Sequence, residues 1–337
     1  MADKTAFLRC ENVWKVFGDG EDTFLQFPGP DADAATFARH GLIAGVRNAN
    51  LDIAEGEIFV IMGLSGSGKS TLVRCMTGLH KLSAGRVYLD GVDIAHAQPR
   101  EIVEIRRKKI SMVFQDFALL PHLTVIGNVA FPLKVQGVAR KDREARAREI
   151  IELVGLKGRE DYYPDELSGG QQQRVGIARS LTTDPQVWFL DEPFSALDPL
   201  IRQDMQSEFL RLQNKLQKTI VFITHDFDEA VRLADRIAVM KDGEVVQLGT
   251  PEEFILNPAN DYIREFTRNI PQTKVLRIRS VMKPVGAPTL GAPIRGDARL
   301  SEAAEAVLVS DGAHPVVDAG GRIIGTVHRT DIAPYLV

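Results

Sequence analysis

Uninterrupted apolar runs mark the central strands of this chain. Residues 58–62, 186–191 and 219–224 are short and almost wholly apolar, without the alternation of a half-exposed strand. Continuous runs of this length are expected for parallel strands that are buried on both faces of a sheet. The pattern therefore predicts an α/β protein built around a parallel sheet.

Other segments have the character of strands and turns. Residues 5–17 and 46–62 each predict a strand, and residues 84–94 predict a strand followed by a turn. Residues 239–246 contain an Asp-Gly pair between apolar residues, which favours a tight hairpin turn.

Helical patterns are more polar. Residues 140–154 carry dense charge with apolar residues at helical spacing, which indicates a helix with one solvated face. An acidic insertion that contains Pro and Gly occupies residues 18–45, and its second half, residues 34–43, could form a short helix. The pattern breaks near Ile270 and Pro271, where a smaller unit begins.

A glycine-rich segment directly after residues 58–62 fits the pattern G-x-x-x-x-G-K-[ST]. In this pattern, backbone N–H groups of the turn and of the next helix surround phosphate oxygens, and side chains at the glycines would block that approach. Lys69 is expected to reach the terminal phosphates, and Ser70 to place its hydroxyl on Mg²⁺. An ordinary Gly/Ser turn is the competing interpretation, which the preceding strand and the following helix disfavour. The predicted phosphate-binding residues are Gly63, Leu64, Ser65, Gly66, Ser67, Gly68, Lys69, Ser70 and Thr71.

Polar residues at strand ends carry the rest of the predicted chemistry, because open α/β sheets bind ligands there. Asp191 can hold Mg²⁺, directly or through water, while Glu192 can polarise the attacking water as a general base. Gln115 follows another predicted strand and could contact both the metal and the water. His225 could reach the γ-phosphate; a lone histidine at a strand end is more often structural, but the neighbouring motifs reverse that preference.

Composition narrows the class of protein. The 337 residues carry a net charge of -4 and a pI near 6.0, which disfavours nucleic acid as a partner. Cys10 and Cys75 are too few for a disulfide framework or a zinc cluster, and Cys75 is expected in the core. No apolar run approaches the ~18 residues needed to cross a bilayer, and the N-terminus lacks the apolar core of a signal peptide. Any role at a membrane is therefore expected to come through a partner.

A second motif, Leu167-Ser-Gly-Gly-Gln171, could by itself be a helix-capping turn. Together with the phosphate-binding loop, Gln115, Asp191-Glu192, Ser195-Ala-Leu-Asp198 and His225, it resembles the ATP-binding subunit of an ABC transporter over roughly residues 5–270. The resemblance implies a P-loop NTPase core with a helical subdomain over about residues 115–180, and ATP and Mg²⁺ as cofactors.

The resemblance also implies a homodimer. In this family each ATP is held between the phosphate-binding loop of one subunit and the signature loop of the other, and hydrolysis opens the dimer. An aromatic side chain near the N-terminus stacks on adenine; Phe17 occupies that place here, with Trp14 as the competitor and core packing as the alternative. The residues implied to bind ATP in trans are Ser168, Gly169, Gly170, Gln171 and Asp198.

A finer resemblance is to importers of quaternary amines such as glycine betaine, choline and proline betaine. It rests on the insertion and on the amino-acid sequences of residues 57–68, 106–115 and 117–122. It implies integral membrane permease subunits that contact residues 117–131, although an ordinary hydrophobic helical subdomain would give the same pattern. It further implies an extracytoplasmic solute-binding protein and a peripheral position at the cytoplasmic face of the inner membrane.

The end of the chain resembles one CBS repeat, so we predict domains over residues 1–270 and 275–337, the second a small α+β unit. Such repeats normally work in pairs, so a complete module would form across a dimer. Repeats that bind adenine nucleotides usually carry Ser or Thr three positions before the last Asp, where this chain has His328 before Asp331. A regulatory role and a structural role in dimerisation both stay open. The lead-in, the helix and the two strands are predicted at residues 279–284, 300–308, 314–318 and 322–327.

The function predicted from these features is an ATP-hydrolysing subunit that powers uptake of a betaine-like or choline-like solute. The alternatives are a soluble ABC-type ATPase that acts on nucleic acid or ribosomes, the ATPase of an importer for another small solute such as an amino acid, and an exporter ATPase. Soluble machines usually have two nucleotide domains in one chain, a long coiled-coil insertion or zinc-binding cysteines, which this sequence lacks. The insertion and the CBS-like tail disfavour an exporter.

Overall fold

The computed structural model describes residues 6–21, 24–26, 29–116, 118–268, 270–286 and 291–336. In these ranges no helix combines the length and the apolarity needed to cross a membrane. Two predicted positions, Thr5 in the first strand and Phe117 in the permease-contacting segment, lie outside the described residues. The elements are β1 (Leu8–Phe17), α1 (Ala34–Arg39), β2 (Ile43–Ile53), β3 (Ile58–Met62), α2 (Lys69–Met76), β4 (Ala84–Leu89), β5 (Val92–Asp93), α3 (Pro99–Lys108), β6 (Ile110–Val113), α4 (Val125–Val135), α5 (Arg140–Leu153), α6 (Gly169–Leu181), β7 (Val187–Asp191), α7 (Pro199–Leu216), β8 (Thr219–Thr224), α8 (Phe227–Leu233), β9 (Arg236–Lys241), β10 (Glu244–Gly249), α9 (Pro251–Leu256), α10 (Asp261–Thr267), α11 (Gln272–Val275), α12 (Ile278–Val281), β11 (Ile294–Arg295), α13 (Leu300–Val309), β12 (His314–Val317), β13 (Ile323–Val327) and α14 (Arg329–Ile332).

The chain divides into two compact units. The first contains Met1–Asp226 and Ala238–Val246, and the second contains Phe227–Ile237 and Gln247–Val337. The domain boundary predicted near residues 270–275 stays a prediction, because units defined by contacts and modules defined by family need not coincide.

The first unit contains the parallel sheet that the apolar runs predict. Its strand order is β10-β9-β3-β8-β7-β6, and β3, β6, β7 and β8 pair in parallel. Every residue of β3 and β8 is buried, as expected for strands covered on both faces. In register, Met62 pairs with Thr224 and Asp191 with Ile223, so the carboxyl ends of β3, β7 and β8 lie side by side.

The prediction of one strand over residues 46–62 was wrong. The chain turns at Gly56, whose φ is +75°, and the Glu57 N–H donates to the Ala54 carbonyl. This turn separates β2, which joins a second sheet of order β2-β1-β4-β5 and pairs antiparallel with β1, from β3, which enters the parallel sheet. The predicted Asp-Gly hairpin is confirmed: positive φ angles at Asp242 and Gly243 connect β9 to β10.

The insertion at residues 18–45 packs onto β1. Phe24 and Phe37 are fully buried, and the Phe24 ring lies 5.1 Å from that of Trp14, which is itself only 6% exposed. Apolar burial of large aromatic side chains holds the insertion against the sheet. Helix α1 is shorter than the segment 34–43 predicted for it, because the chain turns before β2 begins.

Helices α4, α5 and α6 pack against one another within the first unit. Helix α5 matches the charged segment predicted over residues 140–154, and Ala147, Ile150 and Ile151 are its buried residues. The predicted core position of Cys75 is also confirmed, because this residue of α2 is 2% exposed, and burial raises the pKa of its thiol to about 12.

The second unit contains a three-stranded sheet of order β11-β12-β13. Strands β11 and β12 are parallel, whereas β12 and β13 are antiparallel. The predicted helix over residues 300–308 and the two predicted strands correspond to α13, β12 and β13. These elements enclose a small apolar core that includes Leu276, Ile278, Leu300, Val307, Val316, Val327 and Ile332.

Candidate functional site

A groove of about 690 Å³ in the first unit collects most of the residues predicted to act on a nucleotide. It lies at the carboxyl ends of β3, β7 and β8, as open α/β sheets predict. Its lining is Phe17, Ile43, Gly45, Leu64, Ser65, Gly66, Gly68, Lys69, Ser70, Thr71, Gln115, Glu192 and His225.

The phosphate-binding loop between β3 and α2 requires glycine on steric grounds. Gly63, Gly66 and Gly68 have φ angles of +147°, +80° and +101°, a region that residues with a side chain rarely adopt. A Cβ at Gly63 would overlap the carbonyl oxygen of Met240, and a Cβ at Gly68 would overlap that of Gly45. The loop is therefore fixed by backbone packed closely on both sides.

The loop also carries groups suited to phosphate. The Ser67 hydroxyl is buried and has no hydrogen-bond partner among the residues that the structure describes, which fits a contact with a bound oxyanion. The Lys69 ammonium donates to the carbonyl oxygens of Gly63 (2.9 Å) and Leu64 (3.0 Å). Burial lowers the pKa of Lys69, and the nearby Glu192 and Asp191 partly oppose this shift. A desolvated cation beside a buried hydroxyl is an arrangement that matches a polyphosphate.

Ser70, which lines the groove, and Asp191, which contacts Ser70 but is not part of the lining, are oxygen donors that fit a hard metal ion. The Ser70 hydroxyl donates to Asp191 Oδ1 over 3.3 Å. Burial raises the pKa of Asp191, while the hydrogen bond from Ser70 acts in the opposite direction. A carboxylate, a hydroxyl and the Gln115 amide oxygen are oxygen donors of the kind Mg²⁺ prefers. Gln115 lines the same groove but is exposed, two residues beyond the end of β6.

Glu192 and His225 meet in the groove. His225 Nδ1 lies 3.0 Å from Glu192 Oε2, within hydrogen-bond distance. Glu192 has a φ of +45°, and its N–H donates to the Ile223 carbonyl, so the chain leaves β7 through a left-handed residue. Such a conformation costs on the order of 1–3 kcal/mol for a residue with a side chain and is often found at functional sites. Propensity in the sequence gives no sign of this strain.

The signature motif lies elsewhere in the chain. Ser168 caps α6, accepting from the Gln171 N–H while Gln171 Oε1 accepts from the Ser168 N–H. Ser168, Gly170 and Gln171 line a separate depression that also includes Arg174. Asp198 is exposed and precedes α7, and Gly169 is the first residue of α6. The structure of one chain therefore does not bring these residues to its own phosphate-binding loop.

The sequence reasoning missed Ile43 and Gly45, which line the groove from the start of β2. No local motif marks them, because they reach the groove only through the packing of β2 against the loop. Gly243 was predicted as part of a hairpin but not as part of this site. Its N–H donates to the Ser67 carbonyl over 3.1 Å, so the hairpin turn supports the phosphate-binding loop.

Gly68→Ala is expected to lower the free energy of unfolding by about 3 kcal/mol, because it adds left-handed strain and an overlap with the Gly45 carbonyl. Gly66→Ala is the matched control, since Gly66 also has a positive φ but no atom lies within 4 Å of a built Cβ. The control is expected to lose about 1 kcal/mol. Urea unfolding without nucleotide measures both values. Equal losses in the two variants would contradict the packing argument.

The fold and the groove define an ATPase with a P-loop. A model of the ABC transporter family matches residues 46–195. The chain is 52% identical over 326 residues to the trimethylamine N-oxide transport system ATP-binding protein TmoW of Pelagibacter ubique, a match that covers 96% of each chain. It is 50% identical over 282 residues to the glycine betaine/proline betaine transport system ATP-binding protein ProV of Salmonella typhimurium, covering 83% of this chain and 70% of ProV.

A solved structure of an ATP-binding cassette supports the same fold. The dimeric, post-hydrolysis form of the ATP-binding cassette MJ0796 bound to ADP and Pi is 35% identical, with a TM-score of 0.60 over 72% of this chain and 98% of the cassette. This chain belongs to the ATP-binding subunits of ABC transporters, within the family that takes up betaine-type and related amine solutes. The fold class and the ATPase function predicted from sequence are thus confirmed.

Proposed function

We propose that this chain is the ATP-hydrolysing subunit of an importer for trimethylamine N-oxide or a close trimethylammonium analogue. The observation that carries the choice of solute is the extent of the match. TmoW is matched over 96% of its length, whereas ProV is matched over 70%. The likeness to TmoW therefore includes the C-terminal part of the chain, beyond the ATPase core.

ATP occupies the groove in the first unit, with its phosphates on the loop at residues 63–71. Adenine stacks on Phe17, which is half-buried and lines the groove, while the competing Trp14 is buried against Phe24. Lys69 and the buried hydroxyl of Ser67 bind phosphate oxygens.

Ser70, Asp191 and Gln115 are the residues that would hold Mg²⁺. When bound, the ion neutralises charge that develops on the β- and γ-phosphate oxygens. Glu192 accepts the proton of the attacking water, and His225 orients the Glu192 carboxylate through their 3.0 Å contact and reaches the γ-phosphate. These roles are supported by the position of the three side chains: Gln115, Glu192 and His225 line the same groove as the phosphate-binding loop.

The complete site contains the signature loop of a second copy of the chain. Its contributing residues are Ser168, Gly169, Gly170, Gln171 and Asp198, which are exposed or partly exposed. Two facts support this homodimer: these residues lie apart from the loop of their own chain, and the related cassette MJ0796 is described as dimeric. ATP then joins two subunits, and hydrolysis releases them.

A second groove, of about 440 Å³, is the proposed contact for the permease. Its walls are apolar, contributed by Leu79, Phe114, Leu120, Phe131 and Val135 among others, and Arg106, Arg107 and Arg179 add positive charge. It includes part of the segment 117–131 predicted to meet the membrane subunits. A solute-binding protein outside the membrane would act only through the permease, and the chain would sit peripherally at the cytoplasmic face of the inner membrane.

The C-terminal unit is proposed to be one CBS-like repeat with a structural rather than a nucleotide-sensing role. His328 Nδ1 accepts from the Thr330 N–H, and Asp331 accepts from the His328 N–H. Lys283 Nζ lies 2.6 Å from the Asp331 carboxylate. The His328 and Asp331 side chains thus cap α14, and Asp331 also forms an ion pair with Lys283.

The cargo is tested with the chain, its permease and its solute-binding protein reconstituted in vesicles. Trimethylamine N-oxide is expected to stimulate ATP hydrolysis by about tenfold, within the usual range of coupling between two sites. Choline, glycine betaine, proline betaine and histidine serve as comparison solutes, and a complex with Glu192→Gln gives the background. A larger stimulation by one of the comparison solutes would overturn the cargo assignment, and no stimulation by any would overturn the importer assignment.

A further inference from the structure

Lys15 is a buried cation beside the nucleotide groove. It lies in β1, where the register with β2 shifts on both sides of it, and it is only 7% exposed. A buried ammonium is costly unless it is paired. Its pairing carboxylate comes from the insertion: Lys15 Nζ lies 3.1 Å from Oε2 of Glu21, whose side chain is 38% exposed.

The second partner of Lys15 is the ring of Phe17. Lys15 Nζ lies over this ring, 4.8 Å from its centroid, which is within cation–π range. The ammonium covers one face of the ring, so a base can stack only on the other. The centroid of the His80 ring lies 5.6 Å from that of Phe17, and the two rings are nearly perpendicular, with an interplanar angle of 81°.

Gly45 lies against the Phe17 ring, close to its Cε2 atom. A Cβ at Gly45 would come within 3.0 Å of Phe17 Cε2, so the absence of a side chain lets the ring lie where it does. The pKa of His80 is lowered by burial and by the charges of Arg74 and Lys15. Phe17 thus packs against Lys15, His80 and Gly45 while it still lines the groove.

We propose that Lys15, held in place by Glu21 of the insertion, is a positioning residue that fixes the Phe17 ring for adenine. The inference rests on the proposed role of Phe17. The ammonium orients the ring through its quadrupole and draws π-electron density toward itself, which makes the opposite face a better stacking partner for an electron-rich purine. The insertion thereby contributes to nucleotide affinity, without touching the nucleotide.

The test compares the binding of ATP with that of inorganic tripolyphosphate, which lacks a base, to the purified full chain. Lys15→Met keeps the length of the side chain and removes its charge. We expect it to raise the Kd of ATP about fivefold and to leave the Kd of tripolyphosphate unchanged. Lys15→Arg, which retains a cation, should preserve the ratio of the two Kd values. Glu21→Gln, at a partly exposed position, should raise the Kd of ATP about twofold by releasing Lys15.

Two further variants separate the possible outcomes. Lys157→Met is the matched control, because it removes a lysine from an exposed ion pair with Glu152 outside the groove, and it should change neither Kd. If Phe17→Ala weakens ATP selectively but Lys15→Met and Glu21→Gln do not, the role of Lys15 is wrong and the adenine platform stands. If Phe17→Ala leaves the ratio unchanged, the platform itself fails. An equal loss of both ligands in Lys15→Met would indicate a purely structural role and overturn the inference.

Discussion

Glu192→Gln is expected to lower ATP turnover by about 10²–10⁴-fold while ATP still binds. The amide keeps the size of the carboxylate and its hydrogen-bonding reach to His225, which lies 3.0 Å away, but it cannot accept a proton from water. ATP then stays bound without being hydrolysed. Because bound ATP stabilises the two-subunit form, the dimer should accumulate. Phosphate release measures the turnover, and size-exclusion chromatography with and without ATP measures the dimer.

Ser168→Arg in the Glu192→Gln background is the control for the site shared between subunits. It places bulk and charge at the α6 cap, where the γ-phosphate of the partner's nucleotide is expected. The double variant should bind ATP as a monomer. Dimers that form equally well with and without Ser168→Arg would refute the role of the signature loop in trans. A Glu192→Gln chain with turnover close to the unchanged protein would show that another group activates the water.

Lys69→Ala is expected to lower turnover by about 10³-fold, because it removes the cation nearest the β- and γ-phosphates. Folding should survive, since the Lys69 ammonium donates to the Gly63 and Leu64 carbonyls of its own loop and burial already disfavours its charge. Initial rates at saturating ATP measure the catalytic loss, and thermal unfolding without nucleotide measures stability.

Lys109→Ala is the matched control for this variant. Lys109 is a surface lysine paired with Asp90 at 3.2 Å, outside the groove lining, and its removal should leave turnover within twofold. If Lys69→Ala retains more than half of the unchanged turnover under saturating ATP, the assignment of Lys69 to the phosphates is wrong.

The sequence by itself determined those features that depend on neighbouring residues. The phosphate-binding loop is contiguous, and its glycines, lysine and serine have fixed roles once a strand precedes them and a helix follows. Strands β3, β7 and β8 were predictable because burial on both faces requires continuous apolar runs, and the carboxyl ends of parallel strands share one edge of the sheet. That reasoning alone placed Asp191, Glu192 and His225 close to the loop.

The tertiary structure decided which side chains meet and which chain segments change sheet. The turn at Gly56 splits one apparent strand into β2 and β3, and local pattern does not show which sheet each half joins. The contact between Glu192 and His225 depends on the register of β7 with β8 and on a left-handed residue that propensity does not reveal.

The contrast between the two aromatic residues of β1 has the same origin. The sequence placed Phe17 at the adenine position with Trp14 as its competitor, and the packing of the insertion buries Trp14 while Phe17 lines the groove. The conformation of a short segment can be predicted from its sequence, because it depends mainly on the dihedral angles of that segment and on its neighbours in the chain. Contacts between residues far apart in the chain depend on how whole elements pack, so only the folded structure brings Gly45 and His80 to Phe17.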